Sequence, residues 1–208
     1  MFLSRVELDT DNRQKMSDLS SVNTYHGWVE SCFPDEFENN TRSRKLWRID
    51  IINGKKYLLL VSQTEPNLQI LERYGVSGTA ATKPYEPFIN GLSEGQELLF
   101  RITLNPTVRK MDDDGGKYDL PHVTTQHQMN YLSERDEKNG FKLSDDFTVV
   151  DSHYEHYRAK SGRPIDLISA TYQGTLTITD IEQFKSTLTE GFGRKKAYGF
   201  GMMTVIPV

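Results

Sequence analysis

A single cysteine, Cys32, stands among 208 residues. One thiol closes no intramolecular disulfide and builds no multi-cysteine zinc site, so a reducing, cytoplasmic setting is expected. Long apolar runs are also missing: 36% of the residues are hydrophobic, but no stretch approaches the roughly 20 residues of a membrane span. The opening MFLSRVELDTDNRQ carries charge from Arg5 onward and has no apolar h-region, so an untargeted, soluble chain without a membrane partner is expected. Excess positive charge is absent as well. Against 25 Lys and Arg stand 29 Asp and Glu, a net charge of −4, and on that count alone nucleic acid is a poor partner. The count hides segregation. Acids crowd into SCFPDEFE, KMDDDGG and SERDEKNG, and cations into TRSRKLWR, YRAKSGR and GRKKAYG. An acidic chain arranged so can carry a basic face.

Several catalytic signatures are lacking. There is no Gly-x-Ser-x-Gly elbow, and Cys32 sits on an apolar helical stripe, so nucleophilic hydrolysis by a protein side chain is not expected. KMDDDGG lacks the alternation and closing glutamate of a calcium loop and reads as a solvated turn. His153 and His156 fall on a strand at a spacing that sends them to opposite faces, with no third ligand. No metal and no cofactor is expected.

What is present begins near the C-terminus, where TEGFGRKKAYGFGMMTVIP sets Gly191 and Gly193, then Gly199 and Gly201, around Arg194, Lys195 and Lys196. Glycines let a backbone come close to a partner, and cations suit phosphate. Nucleotide-binding loops run strand, loop, helix; here the helix DIEQFKSTLTEG precedes the loop and the strand GMMTVIPV follows it. The plain alternative makes Gly191 a helix C-cap and Gly199 and Gly201 a strand start, which leaves the cations unexplained.

Element order supplies the fold. FLSRVEL alternates as a strand; after a polar connection, DLSSVNTYHGWVESCF spaces Val22, Tyr25, Val29 and Cys32 as a helix. Asn53-Gly54 sits between two apolar runs as a hairpin turn. A short helix, EPNLQILERYG, and an edge segment, TKPYEPF, complete β-α-β-β-α-β. Beyond NGLSEGQ the order repeats: strand ELLFRITLNP, helix TTQHQMNYLSERDEKNG, extended runs turning at Ser161-Gly162, a helix and a strand. The expectation is an α+β chain of two tandem ferredoxin-like (RRM-like) domains, residues 1–91 and 92–208. Within it, Arg158 and Lys160 share one face of a hairpin with Arg163 just past its tip. Two separate basic elements suit a phosphate backbone, although charge also protects exposed strand edges. His26 lies on the flank of the first helix, beside Asn23 and Glu30; taken alone, such a histidine is more often structural than catalytic.

FLSRVEL, SQTEPN, LLFRITLNPTVRK, GFKL, YQGTLTITD and GFGRKKAYGFGMMTVIP resemble, in this order and spacing, the CasE-type endoribonucleases that process CRISPR precursor RNA within Cascade. The resemblance covers essentially the whole chain. It implies tandem ferredoxin-like domains, binding of a repeat hairpin, and metal-independent cleavage at the 3′ side of its stem by the 2′-hydroxyl, with other Cascade subunits as partners. His26 falls at the family's catalytic histidine. Arg158, Lys160 and Arg163 match the hairpin that contacts the stem. The glycine loop, Gly191, Gly193, Arg194, Lys195, Lys196, Gly199 and Gly201, packs by analogy at the RNA cleft. One position departs: the family's tyrosine three residues before the histidine is Asn23 here, and the nearby tyrosine is Tyr25. An amide exchanges no proton at neutral pH, so Asn23 can at most hydrogen-bond, and the partner of His26 is open between Asn23 and Tyr25. A noncatalytic hairpin-binding subunit is the alternative that this departure motivates.

Overall fold

The structure, a computed structural model, describes residues 1–158 and 164–208. The chain divides into two compact units, one of Met1–Leu92 with Lys196–Met202 and one of Ser93–Lys195 with Met203–Val208. The sequence division at 91/92 assigned all of the glycine loop to the second half; by packing, its second portion goes with the first unit.

In the first unit the order is β1 (Phe2–Glu7), α1 (Arg13–Asp18), α2 (Val22–Ser31), α3 (Pro34–Glu38), β2 (Lys45–Ile52), β3 (Lys55–Ser62), α4 (Leu68–Leu71), β4 (Ala81–Pro84) and α5 (Glu86–Asn90). The four strands form one antiparallel sheet in the order β2-β3-β1-β4, the ferredoxin-like arrangement. Period-two burial sets its core face, with Val6, Leu58 and Leu60 buried and Leu58 paired with both Val6 and Ile49. Asn53 and Gly54 both have positive φ, 51° and 79°, so the β2–β3 turn is of the primed type that suits strand twist. Helix α2 starts where Ser21 accepts the N–H of Thr24. It buries Trp28, Val29 and Cys32, and the Trp28 indole donates to the carbonyl of Ile70 at 3.0 Å. Burial pushes the Cys32 thiol up to about 12, which makes it inert at neutral pH.

Three short helices, α1, α3 and α5, depart from the sequence reading. The supposed polar connection holds α1, capped by Asn12, and TKPYEPF is strand only to Pro84, because Tyr85 and Glu86-Pro87 begin α5. Amphipathic periodicity needs more than one or two turns to register.

The second unit runs β5 (Glu97–Leu104), β6 (Thr107–Met111), β7 (Lys117–Pro121), α6 (Thr125–Ser133), β8 (Phe141–Leu143), β9 (Thr148–Arg158), β10 (Pro164–Ile178), α7 (Ile181–Glu190) and β11 (Met203–Pro207). Its sheet reads β11-β5-β10-β8, with β9 also on β10. This is a second ferredoxin-like sheet, and the chain is an α+β protein of tandem ferredoxin-like folds. In the FRITLNP stretch Phe100, Ile102 and Leu104 alternate inward, and the Asn105 amide, itself buried, donates to the carbonyl of Ile168 at 2.7 Å. A Cβ at Gly140 would lie 2.5 Å from the Asp180 carbonyl and the Phe184 amide nitrogen, so this residue sets how closely β8 meets the start of α7. The acidic stretch MDDDGGK is the turn of the β6–β7 hairpin, whose two strands the sequence reading did not foresee.

Candidate active site

Helix α2 carries His26, one turn in from its cap and half-buried, with a side-chain exposure of 30%. Asn23 on the same helix is exposed. Tyr25 points the other way: its ring stacks on Trp47 of β2 at a centroid distance of 5.7 Å and lies tilted to Trp28 at 6.3 Å. The stripe expected to take Tyr25 inward thus includes two tryptophans.

A cation from outside the helix meets His26. The Arg42 guanidinium lies 3.1 Å from the imidazole Nε2 and 3.4 Å from Glu30 Oε1, while Glu30 Oε1 stands 3.9 Å from the imidazole Nδ1. Glu30 is tied in turn to Lys45 Nζ at 3.6 Å, and Lys45 to Glu36 Oε2 at 2.5 Å. Lys45 is 2% exposed and lies over the Phe33 ring, 4.7 Å from its centroid. A buried ammonium between two carboxylates holds both; without it, like charges would face each other in a poorly solvated place. Burial pushes the Glu36 carboxyl up, but hydrogen bonds from Lys45 and Ser43 outweigh this and leave it below the ordinary glutamate range. Glu36 also accepts from the Ser43 hydroxyl and, at 3.1 Å, from the Ser43 amide. Sequence reasoning missed Arg42, Lys45, Glu30 and Glu36 as a group. The run TRSRKLWR signalled charge, but the spacing from residue 26 to residue 42 has no period that announces a contact.

The glycine loop divides between the units. In the second, Gly191 ends α7 at φ 66° with its N–H on the Thr187 carbonyl. Arg194 pairs with Asp119 of β7. Asp119 also takes Arg109 in a two-pronged contact of 2.9 and 3.2 Å. Hydrogen bonds from Arg109 first, then from Arg194, hold the Asp119 carboxyl down at about 2. Lys195 takes positive φ, 63°, as do Gly193 at 86° and Gly201 at 87°.

In the first unit a 3-10 turn over Lys196–Tyr198 packs beside β2 and α2, which brings part of the loop to the helix bearing His26. Gly199 follows at φ 83°, where a Cβ would stand 2.9 Å from the Trp47 ring. Met202 then enters a core cluster with Leu46, Val61, Tyr85 and Ile89, and its carbonyl takes a 2.7 Å hydrogen bond from the buried Arg48 guanidinium. The strand itself starts at Met203, two residues beyond Gly201.

Of the proposed basic hairpin, β9 and β10 pair from Thr148 and Gln173 to Arg158 and Pro164. Lys160, Arg163 and the side chain of Arg158 lie outside the described residues. His153 and His156 pair across to Ser169 and Asp166. His153 lies between Asp151 at 2.9 Å and Glu155 at 2.8 Å; the Glu155 hydrogen bond is the largest of the effects that raise its pKa. His156 meets Asp166 at 2.8 Å. Among the described residues no group of three or more His, Cys, Asp or Glu is placed to hold a metal ion, and no helix is long and apolar enough to cross a membrane.

Residues 1–207 match the model of the family described as CRISPR associated protein. The chain belongs to this CRISPR-associated family. The chain is 27% identical to the CRISPR-associated endoribonuclease Cse3 of Thermus thermophilus over 219 aligned positions, covering 100% of both proteins. Its fold is similar to that of CRISPR endoribonuclease Cse3 bound to a 19 nt RNA, with a TM-score of 0.80, 26% identity and 99% of each chain covered. A second similar structure is Thermus thermophilus Cse3 bound to an RNA representing a pre-cleavage complex, with a TM-score of 0.79, 25% identity, and 99% of this chain and 98% of that one covered.

Proposed function

We propose that this CRISPR-associated protein is a metal-independent endoribonuclease of the CasE type. It binds the repeat hairpin of CRISPR precursor RNA, cuts at the 3′ side of the stem, and works in the cytoplasm with other Cascade subunits. The observation that carries this reading is His26: a half-exposed imidazole, held among Arg42 and Glu30 on a capped helix, in a chain that aligns end to end with an endoribonuclease solved on RNA.

The chemistry follows from what RNA supplies. Its own 2′-hydroxyl is the nucleophile, so the protein needs no activated serine or cysteine, and Cys32 has no role. The 2′-oxygen bonds to phosphorus, the bond to the 5′-oxygen breaks, and a 2′,3′-cyclic phosphate and a 5′-hydroxyl result. The proton of the 2′-hydroxyl passes to His26, and the departing 5′-oxygen takes one back. Of the helix-borne candidates for a second group, Asn23 is exposed and suits a hydrogen-bond donor to phosphate, while Tyr25 is stacked on Trp47. The basic elements, Arg158, Lys160 and Arg163 on one side and Arg194, Lys195 and Lys196 in the glycine loop (Gly191, Gly193, Gly199 and Gly201), serve the stem's phosphates. A-form stems are recognised by shape and backbone.

The purified protein is to be incubated with a repeat hairpin in EDTA, beside the same hairpin carrying one 2′-deoxy nucleotide at the cut site. Cleavage of the first and none of the second is expected. A hairpin that is bound tightly and left whole would instead make this a noncatalytic RNA-binding subunit, the reading that Asn23 favours.

A further inference from the structure

We infer that Arg42 is a catalytic residue of this chain, whose guanidinium caps His26 in the free protein and turns to the scissile phosphate when RNA is bound. The inference rests on the endoribonuclease reading and adds to it a group from outside helix α2.

Guanidinium only donates and keeps its charge at any working pH. At 3.1 Å from Nε2, it makes that nitrogen the acceptor and leaves the ring proton on Nδ1, toward Glu30 at 3.9 Å. The free protein therefore holds His26 with a lone pair on Nε2, the form that can take a proton from a 2′-hydroxyl. The Arg42 guanidinium bridges the two groups, at 3.1 Å from the imidazole and 3.4 Å from the Glu30 carboxylate.

The backbone around Arg42 is held on both sides. Thr41 donates to the Glu36 carbonyl at 2.8 Å, and Ser43 donates to the Glu36 carboxylate at 3.1 Å, itself anchored by Lys45. Between these anchors the Arg42 side chain is 68% exposed. A short swing carries a two-pronged donor from Nε2 to a nonbridging phosphate oxygen, which is where negative charge grows as the 2′-oxygen adds to phosphorus. In that step Arg42 neither gains nor loses a proton. Nε2, uncovered, accepts the 2′-hydroxyl proton and returns it to the 5′-oxygen as the phosphorus–oxygen bond breaks. Charge stabilisation is the demand that Asn23, an uncharged amide, meets least well.

The test is single-turnover cleavage of saturating repeat hairpin by wild type, Arg42→Ala, Arg42→Lys and His26→Ala, each with and without dilute guanidinium chloride. Arg42→Ala should lose about 10²–10³-fold in rate, the scale of one preorganised donor to an oxyanion, with hairpin affinity little changed. Arg42→Lys should recover part of it, because an ammonium supplies charge without the planar fork. Free guanidinium should partly rescue Arg42→Ala and do nothing for His26→Ala. A wild-type rate in Arg42→Ala, or a loss that guanidinium does not touch, overturns the role of Arg42 and leaves the endoribonuclease reading standing. Failure of the wild type to cut a bound hairpin overturns that reading and this inference together.

Discussion

At the scale of single residues, the geometry around α2 separates proton transfer from packing. His26→Ala should slow single-turnover cleavage by about 10²–10⁴-fold, the range for a general acid or base, while hairpin binding is nearly kept. Tyr25→Phe should stay close to wild type, because the ring stacked on Trp47 survives the change. Equal losses in the two variants would mean that the tyrosine hydroxyl moves a proton after all. The position of Tyr25 was legible in the sequence because helical spacing joins it to Val29 and Cys32. The surroundings of His26 were legible only in part. Glu30 is four residues on and falls on the same face, but Arg42 arrives through the turn after α3, at a sequence distance where no periodicity operates.

At the scale of elements, the glycine loop is two devices in one stretch of chain. Up to Lys195 it caps a helix and offers Arg194 to Asp119; from Lys196 it lays backbone against β2 and α2. Gly199→Val should destabilise by about 2–4 kcal/mol, the sum of a left-handed β-branched residue and an overpacked contact on Trp47. Gly199→Ala should lose less, about 1–2 kcal/mol, since its Cβ meets the Trp47 ring but carries no branch. Thermal unfolding of both decides it, and wild-type stability in Gly199→Val would remove the close approach to Trp47 from the account. Repeated glycines marked the loop in the sequence; its division could not be read there, since glycine says that a backbone comes close and not to what. The β6–β7 hairpin was hidden for a related reason. Its strands are five residues each and mostly exposed, so they lack the apolar alternation that betrays β5.

At the scale of the whole molecule, each unit has a carboxylate whose charge is favoured by folding: Glu36 in the first and Asp119 in the second. Both are depressed relative to the unfolded chain. Their contribution is therefore complete above the unfolded values of about 4 and is lost as pH falls through the folded ones, for Asp119 down to about 2. Asp119→Asn should lower Tm at neutral pH by about 2–4 °C, on the order of 1 kcal/mol for a partly exposed pair in a chain of this size. The difference from wild type should close between about pH 4 and pH 2; a gap that persists at pH 2 would assign the loss to packing. The doubled β-α-β-β-α-β order was readable from strand and helix periods, but not the return of Lys196–Met202 to the first unit. That return has a consequence in time. A chain emerging from the ribosome presents residues 1–92 first, yet Gly199 and the Met202 carbonyl that Arg48 holds are made only after all of residues 93–195. The nascent protein thus carries His26 in an unfinished setting until residues 196–202 have been made.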